Sequence, residues 1–473
     1  MLLPQTFSLL VLGQGSTGLD VVAWALRHAD RVRSITVYGG GSSTPSDDTR
    51  RLEAQGVDFV YGTESVVGVY DVCVASPGIS EFSLFFDSAR RASALMMGEP
   101  EFAFRLSPER WCAITGTNGK TTTTSLIHHL LVGSGMAASA VGNIGRPTID
   151  AVDGRVSGDW IVAELSSYQL ATTSKLHPRV AVLLNITPDH LSWHGSLDNY
   201  AAAKAKLFEN MGADDLAIVN VDDEGVHDIL DRILVPSRRV LSLSREDSLA
   251  RDAAFVREGG LVVRLGGVEH DLVPVDELGI SGEHNVMNAL AASAAAIECG
   301  ADLDDVRAGL RSFAPLEHRI EPCGEIDGVR YFNDSKATNT DAVEKALTAF
   351  PDNHVILMLG GHDKGTPLEG FADVVIDHVA AAVCFGEARA RFRKALEDAD
   401  GSNTIDIAEA DDLRDALDVA RSLASRGDVV LLSPACSSYD EFLGYEERGR
   451  FFKARLEQIR SGSDLDDASG VEL

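Results

Sequence analysis

The chain reads as an α/β protein built on parallel sheets and divided into three domains. Three observations predict this. Short apolar runs alternate with helix-period segments almost from end to end, the pattern of parallel strands covered by helices. Glycine-rich turns sit between a strand and a helix at 13–18 (GQGSTG) and 116–122 (GTNGKTT). The length, 473 residues, exceeds what one core can organise, since a single core stops growing at about 250–300 residues.

The elements follow in order. Residues 7–12 (FSLLVL) predict a first strand, and the glycine turn leads into a helix over 17–28. The apolar start lacks the basic leader of a signal peptide, and the glycine motif stands where a cleavage site would be needed. A second strand is expected over 34–38 (SITVY), and a later one over 71–75 before the turn Ser76-Pro77-Gly78. The first domain is expected to end near Ser107-Pro108. A strand over 111–115 and a helix over 119–132, closed by Gly133 and Gly135, open the second. Its later strands are expected at 160–164, 180–184 and 216–220, with short strands and turns over 232–280 and an alanine-rich helix over 284–298. A third domain starts around Phe313-Ala314-Pro315, with strands near 329–333, 355–359, 381–385 and 428–432. The last residues (SGSDLDDASGVEL) are acidic and small and are expected to be disordered.

Composition narrows the function. The net charge is −30, with 45% hydrophobic and 24% charged residues. That is ordinary for a globular protein and excludes a fibre, a coiled coil or a mainly disordered chain. No uncharged apolar stretch of about 18 residues is present, so no membrane span is expected. The acidic balance argues against nucleic acid as a partner. It allows an anionic small substrate, because screening acts over about 8 Å at physiological salt and a few pocket cations dominate locally. Cys73, Cys112, Cys299, Cys323, Cys384 and Cys436 are scattered without a CxxC pair, as expected of reduced thiols in a cytoplasmic protein.

Four segments carry chemistry. In GTNGKTT the amides of Gly116, Thr117, Asn118 and Gly119 open a helix and suit phosphate. Lys120 can reach terminal phosphate oxygens, and Thr121 or Thr122 can ligate Mg²⁺. Ile114 stands where the full P-loop pattern has glycine, so this is a shortened form. GQGSTG fits G-x-G-x-x-G, but strand two ends in Tyr38-Gly39-Gly40-Gly41, with no acid for a ribose and no Arg for a 2′-phosphate. A Rossmann-like fold offering amides to phosphates, without NAD, is the reading. Glu164 ends an apolar strand in ELSSYQL, and His190 follows another in NITPDH. Both strand ends lie on the side where open α/β sheets bind ligands, so Glu164, His190 and Thr121 are candidate Mg²⁺ ligands. Finally, Lys204 falls on the apolar stripe Tyr200, Ala203, Leu207, Phe208 and Met211 of a helix expected over 198–211. It is either a long stem reaching water or a desolvated amine modified by CO₂ to an anionic carbamate.

Together these segments resemble the Mur ligases, ATP-dependent amide-forming enzymes of peptidoglycan synthesis. The resemblance spans nearly the whole chain and includes GEHNVMNA (282–289) and EHRIE (317–321). Within the family, NDSKATN (333–339) and LLSPACSSYDEF (431–442) resemble the member that adds D-glutamate. The resemblance implies a Rossmann-like domain over 1–108 that binds the UDP substrate. It implies a central P-loop ATPase-like domain over 109–314 and a Rossmann-like C-terminal domain over 315–473 that binds the amino acid. By the same resemblance, Lys120 and the loop amides cradle ATP. Thr121 and Glu164 hold one Mg²⁺; Glu164, His190 and carbamylated Lys204 hold a second. Ser16, Thr17 and Asn143 meet the UDP substrate. Asn285, Asn288, Arg319, Asp334 and Lys336 serve ATP, and Lys364, Ser438 and Tyr445 form the D-glutamate pocket. Two departures stand out: Ser192 replaces the acid usual two residues after the metal-site His, and Gly39 and Gly40 replace the usual acid after the second strand.

The implied reaction converts the carboxylate of UDP-N-acetylmuramoyl-L-alanine to an acyl phosphate, which the D-glutamate amine then attacks. The partners expected are these small molecules alone, and the chain is expected to act as a monomer whose third domain closes when ATP binds. A relative using another amino acid, an NAD-dependent oxidoreductase and a nucleotide-driven switch are the competing readings.

Overall fold

The computed structural model describes residues 3–235, 238–314, 317–350, 354–363, 365, 368, 370–401 and 404–461. It is an α/β protein with parallel-rich sheets in three domains. These pack as two compact units: Met1–Leu278 with Met287–Phe313, and Gly279–Val286 with Ala314–Leu473. The expected disorder of the C-terminal residues falls on 462–473, outside the described residues.

The first unit holds two sheets. The first comprises β1 (Phe7–Leu12), β2 (Val32–Tyr38), β3 (Asp58–Val60), β4 (Tyr70–Ala75) and β5 (Ser93–Gly98), in the order β3-β2-β1-β4-β5 with every pair parallel. In β1, Leu9, Leu10, Val11 and Leu12 are all fully buried, which is why its sequence is a continuous apolar run. Helix Ser16–Arg27 follows and buries Gly18, Val21, Val22, Trp24 and Ala25 against the sheet. A Cβ on Gly18 would lie 2.2 Å from the Gly13 carbonyl oxygen, so only glycine lets strand and helix meet this closely.

The second sheet has nine strands: β6 (Trp111–Thr115), β7 (Ala138–Gly142), β8 (Trp160–Glu164), β9 (Val180–Leu183), β10 (Leu216–Asn220), β11 (Arg239–Leu243), β12 (Ala253–Arg257), β13 (Gly260–Leu265) and β14 (Val268–Pro274). Their order is β14-β13-β12-β11-β10-β9-β6-β8-β7, parallel except for the antiparallel β12-β13-β14 edge. One continuous apolar core joins the two sheets, from Phe7, Trp24 and Phe102 to Trp111, Ile149 and Leu207. A buried carboxylate reinforces the joint. Glu99 accepts from the Thr148 hydroxyl (2.6 Å) and the Ile149 amide (2.5 Å). Burial, with Asp20 and Asp150 nearby, pushes its pKa up to about 7.

The second unit carries β15 (Glu321–Ile326), β16 (Val329–Asn333), β17 (Val355–Gly360), β18 (Ala381–Phe385), β19 (Asp406–Glu409) and β20 (Val429–Ala435), in the order β15-β16-β20-β17-β18-β19. Only β15 pairs antiparallel.

The structure adds strands that the sequence pattern did not reveal, among them β5 (SALMMG), β7 (ASAVG) and β19 (DIAE). Each is the outermost strand of its sheet and is only partly buried, so none reads as a strong apolar run. The helix expected over 198–211 is shorter: it spans Leu197–Ala205 and tightens into a 3₁₀ turn over Lys206–Phe208.

Candidate active site

The loop after β6 and the start of helix Lys120–Gly133 form the centre of the site in the first unit. Gly116 (φ 157°) and Gly119 (φ 80°) turn the chain. A Cβ at Gly119 would lie 2.4 Å from Asn288 Oδ1, so the loop is closed against the helix that carries Asn288. Asn288 Oδ1 also accepts from Thr123 Oγ1 (3.2 Å). The connection after β9 ties down the other side. The Thr117 amide donates to the Asn185 carbonyl (3.0 Å) and the Asn118 amide to Asn185 Oδ1 (2.8 Å), while the Thr187 amide donates to Thr117 Oγ1 (3.0 Å). Thr117 Oγ1 also meets the Tyr200 hydroxyl at 2.9 Å.

Two lysines converge here. Lys120 Nζ donates to the Gly116 carbonyl (2.9 Å) and the Thr117 carbonyl (2.7 Å). Lys204 Nζ donates to the same Gly116 carbonyl at 2.7 Å and lies 4.5 Å from the centre of the Tyr200 ring. Lys204 is 1% exposed. Burial, then the charge of Lys120, holds its pKa well below the usual lysine value, against the opposing pull of Asp189 and Glu164. Of the two sequence readings, the structure takes the inward one: this stem does not reach water. Lys206, two residues on, lays its ammonium on the Ala171 carbonyl and 3.7 Å from Glu81.

Glu164 ends β8 beside the loop strand and is 1% exposed. Its Oε1 accepts from Asn143 Nδ2 (2.9 Å), and the Asn143 amide donates to the Glu164 carbonyl (2.9 Å). Its Oε2 is buried with no hydrogen-bond partner among the described residues. A buried carboxylate oxygen without a donor is costly, and a hard divalent cation is the ligand that suits it. Thr121 and Thr122 are buried at the helix start. His190 is exposed and takes a left-handed backbone (φ 53°), with Nε2 3.5 Å from Asp189 Oδ2 and its ring 4.7 Å from Tyr168. Behind it, His194 is fully buried, bonded to the Ser167 hydroxyl (2.9 Å), and burial lowers its pKa to about 4.

Ser16 and Thr17 lie elsewhere in this unit. They line a separate 480 Å³ cleft with Gly13, Gln14, Gly39, Gly40, Gly41, Glu64, Ser76 and Phe85.

The remaining residues belong mainly to the second unit. Asp334 is buried, accepts from the Ser433 hydroxyl (2.7 Å) and the Ile320 amide (3.3 Å), and burial raises its pKa to about 7. Arg319 adds an opposing attraction there. Lys336 Nζ lies 5.1 Å from the centre of the Tyr445 ring, and the Tyr445 carbonyl accepts from the Ser335 hydroxyl (2.9 Å). Ser438 Oγ is buried with no hydrogen-bond partner among the described residues. Asn285 Nδ2 donates to the Ser281 carbonyl (2.7 Å). Lys364 lies outside the described residues.

Sequence reasoning missed Arg448. It is 1% exposed and donates to Ser335 Oγ (2.9 Å) and the carbonyls of Ser335 (2.8 Å), Cys436 (2.9 Å) and Ser437 (3.2 Å). One guanidinium thus binds the NDSKATN turn to the loop that presents Ser438. The only sequence signal was an arginine at the start of a helix rather than near its end, where the dipole favours cations.

Comparison with known proteins matches this architecture. Residues 114–296 match the Mur ligase middle domain, and residues 318–436 match the Mur ligase glutamate ligase domain. A UDP-N-acetylmuramoylalanine–D-glutamate ligase of Pelotomaculum thermopropionicum is 39% identical over 96% of this chain and 98% of its own. The Geobacter metallireducens protein of the same name is 38% identical over 96% and 98%. Among solved structures, MurF from Acinetobacter baumannii shares the fold, with a TM-score of 0.59 at 16% identity, covering 95% of this chain and 93% of that one. The domain matches and the full-length similarity to two ligases agree with the loop, the paired lysines and the buried glutamate, and the chain belongs to the Mur ligase family.

Proposed function

We propose that this chain is an ATP-dependent ligase that joins D-glutamate to UDP-N-acetylmuramoyl-L-alanine. The observation that carries the proposal is the cluster at the mouth of the 116–122 loop: two lysine ammoniums on one carbonyl, beside a carboxylate with a bare oxygen. The relatives' printed names supply the substrate pair. On this reading the first sheet is Rossmann-like, with strand order 3-2-1-4-5, and Ser16 and Thr17 receive the UDP moiety.

A carboxylate resists amide formation because its oxide does not leave. Its oxygen attacks the γ-phosphorus of ATP, ADP departs, and the resulting acyl phosphate carries a good leaving group. The D-glutamate amine adds to the carbonyl carbon, phosphate leaves, and the amine proton passes to a base. Lys120 and the loop amides of 116–119 orient the triphosphate and offset its charge. Thr121, Glu164, His190 and a carbamylated Lys204 would hold two Mg²⁺ ions, which supply charge neutralisation at the phosphates. Asn143, which donates to Glu164, touches the muramoyl substrate on this reading. Asn285 and Asn288 serve the nucleotide, and Arg319, Asp334 and Lys336 are the second unit's nucleotide residues. Ser438, Tyr445 and Lys364 receive D-glutamate; the bare Ser438 hydroxyl suits a carboxylate.

Incubation with ATP, Mg²⁺, UDP-N-acetylmuramoyl-L-alanine and each enantiomer of glutamate, followed by mass analysis, tests the proposal. A product heavier by one glutamyl residue with the D-enantiomer supports it. Phosphate release without that product overturns it.

A further inference from the structure

The cleft at the start of helix Ser16–Arg27 is lined differently from that of a dinucleotide fold, where an acid directly after the second strand binds the sugar. Here three glycines occupy that place. A Cβ on Gly39 would lie 2.5 Å from Ser43 and 2.9 Å from Gln14 Oε1, and Gly40 has φ 102°. The shelf after β2 is therefore backbone that lines the cleft without side chains of its own, with Ser43, Gln14 and buried Phe85 packed on the Cβ sides of Gly39 and Gly40.

Two acceptors stand around this shelf. Gln14 Nε2 donates to the Thr44 carbonyl (3.1 Å), which fixes the amide; its Oε1 is buried with no hydrogen-bond partner among the described residues. Glu64 stands at the far rim, held by the bridge between Gly40 and Thr63. Its carboxylate oxygen would be 3.5 Å from a Cβ on Gly41. The backbone amides at the start of the helix, around Ser16 and Thr17, suit the phosphates at the opposite end. The cleft thus runs from phosphate donors, across a glycine shelf, to hydrogen-bond acceptors.

Resting on the proposed use of a UDP substrate, we propose that Glu64 is the specificity residue of this cleft: its carboxylate accepts the N3–H of the uracil ring. Glu64 lies one connection beyond the position at which a dinucleotide fold binds the sugar. Uracil presents a donor at N3. Cytosine presents a lone pair there, which a carboxylate repels.

The test is equilibrium binding of UDP, N3-methyl-UDP, 2′-deoxy-UDP and CDP to the full chain and to Glu64→Ala and Glu64→Gln. Glu64 is exposed, so these variants keep the fold. A charge-assisted hydrogen bond predicts that Glu64→Ala weakens UDP by about tenfold or more. The penalty for N3-methylation should disappear in that variant, and ATP affinity should stay unchanged. Unchanged UDP affinity in Glu64→Ala overturns the proposal. So does a variant that abolishes the penalty for 2′-deoxygenation instead of the N3-methyl penalty, since the ribose is then the partner. If the wild-type chain makes the D-glutamyl product while Glu64→Ala binds UDP normally, only the Glu64 assignment fails. If the wild-type chain neither binds UDP nor makes that product, the proposed function fails with it.

Discussion

Lys120 and Lys204, 84 positions apart in the chain, donate to the same carbonyl oxygen, that of Gly116, at 2.9 and 2.7 Å. Two ammoniums on one acceptor repel, and the buried one yields its proton more readily. Lys204 is the buried one. A neutral amine is the form that combines with CO₂, so this geometry favours carbamate formation at Lys204 and not at Lys120.

Lys204→Ala should therefore reduce ligase turnover by at least about 100-fold, the scale on which preorganised charged groups act. Added short carboxylic acids should restore part of it, by placing an anion where the proposed carbamate would stand. Phosphate release in both conditions measures this; full activity in the variant ends the assignment.

Lys204→Met should have the opposite effect on stability. The Gly116 carbonyl keeps Lys120 as a donor, so no acceptor is orphaned, while a buried amine is replaced by an apolar chain of similar length. A gain on the order of 1 kcal/mol in denaturant unfolding is expected. Because the folded-state pKa is lowered, the wild-type chain loses stability as pH falls below the unfolded lysine value, and the gap between the two proteins should widen in that direction.

Glu99 makes the pH argument with the other sign. Its pKa of about 7 lies above that of an unfolded glutamate, so the folded chain holds the extra proton. Its contribution is fully present below the unfolded value near 4.5 and is lost as pH rises through 7. Glu99→Gln keeps an acceptor for Thr148 and Ile149. The variant should be more stable than wild type at pH 8, on the order of 1–3 kcal/mol, with no such gain at pH 5. Urea unfolding at the two values decides it.

Arg448→Lys should raise KM for D-glutamate more than KM for ATP. Lysine retains the charge but cannot reach four acceptors with one planar fork. Stability should fall by about 2–4 kcal/mol, because the carbonyls of Ser335 and Cys436 lose the Arg448 guanidinium in a buried site, while Ser437 keeps the His362 amide. An unchanged KM for D-glutamate would show that the loop carrying Ser438 holds itself.

Gly119→Ala should weaken binding of a non-hydrolysable ATP analogue by about tenfold or more. The residue would need a left-handed backbone, and its Cβ would lie 2.4 Å from Asn288 Oδ1. Either the loop or Asn288 must move; normal analogue affinity would show that both can.

The sequence was most legible where one periodicity decides the outcome. Buried parallel strands such as β6, β8 and β9 are continuous apolar runs. Lys204 was found because it sits four residues after Tyr200 on one helix stripe, and the structure places its Nζ over that ring. Arg448 was illegible for the converse reason. Its acceptors come from residues 335, 436 and 437, and only the closing of β16 and β20 side by side brings them to it. Glu99 escaped notice likewise, because its partners at 148 and 149 lie about fifty residues on, in the helix Thr148–Val152. Local pattern reveals which face is apolar; it does not reveal which distant polar group arrives there.

The shared core of the first two sheets has a metric consequence. With Phe7, Trp24 and Phe102 packed continuously into Trp111 and Ile149, the glycine shelf and the Gly116 carbonyl belong to one compact unit. On the proposed function their separation works as a gauge: a substrate anchored in the cleft must have the right reach to bring its other end to the phosphate loop. On that function length becomes a criterion for reaction rather than for binding, and homologous compounds one residue shorter or longer are expected to bind and yet fail to react.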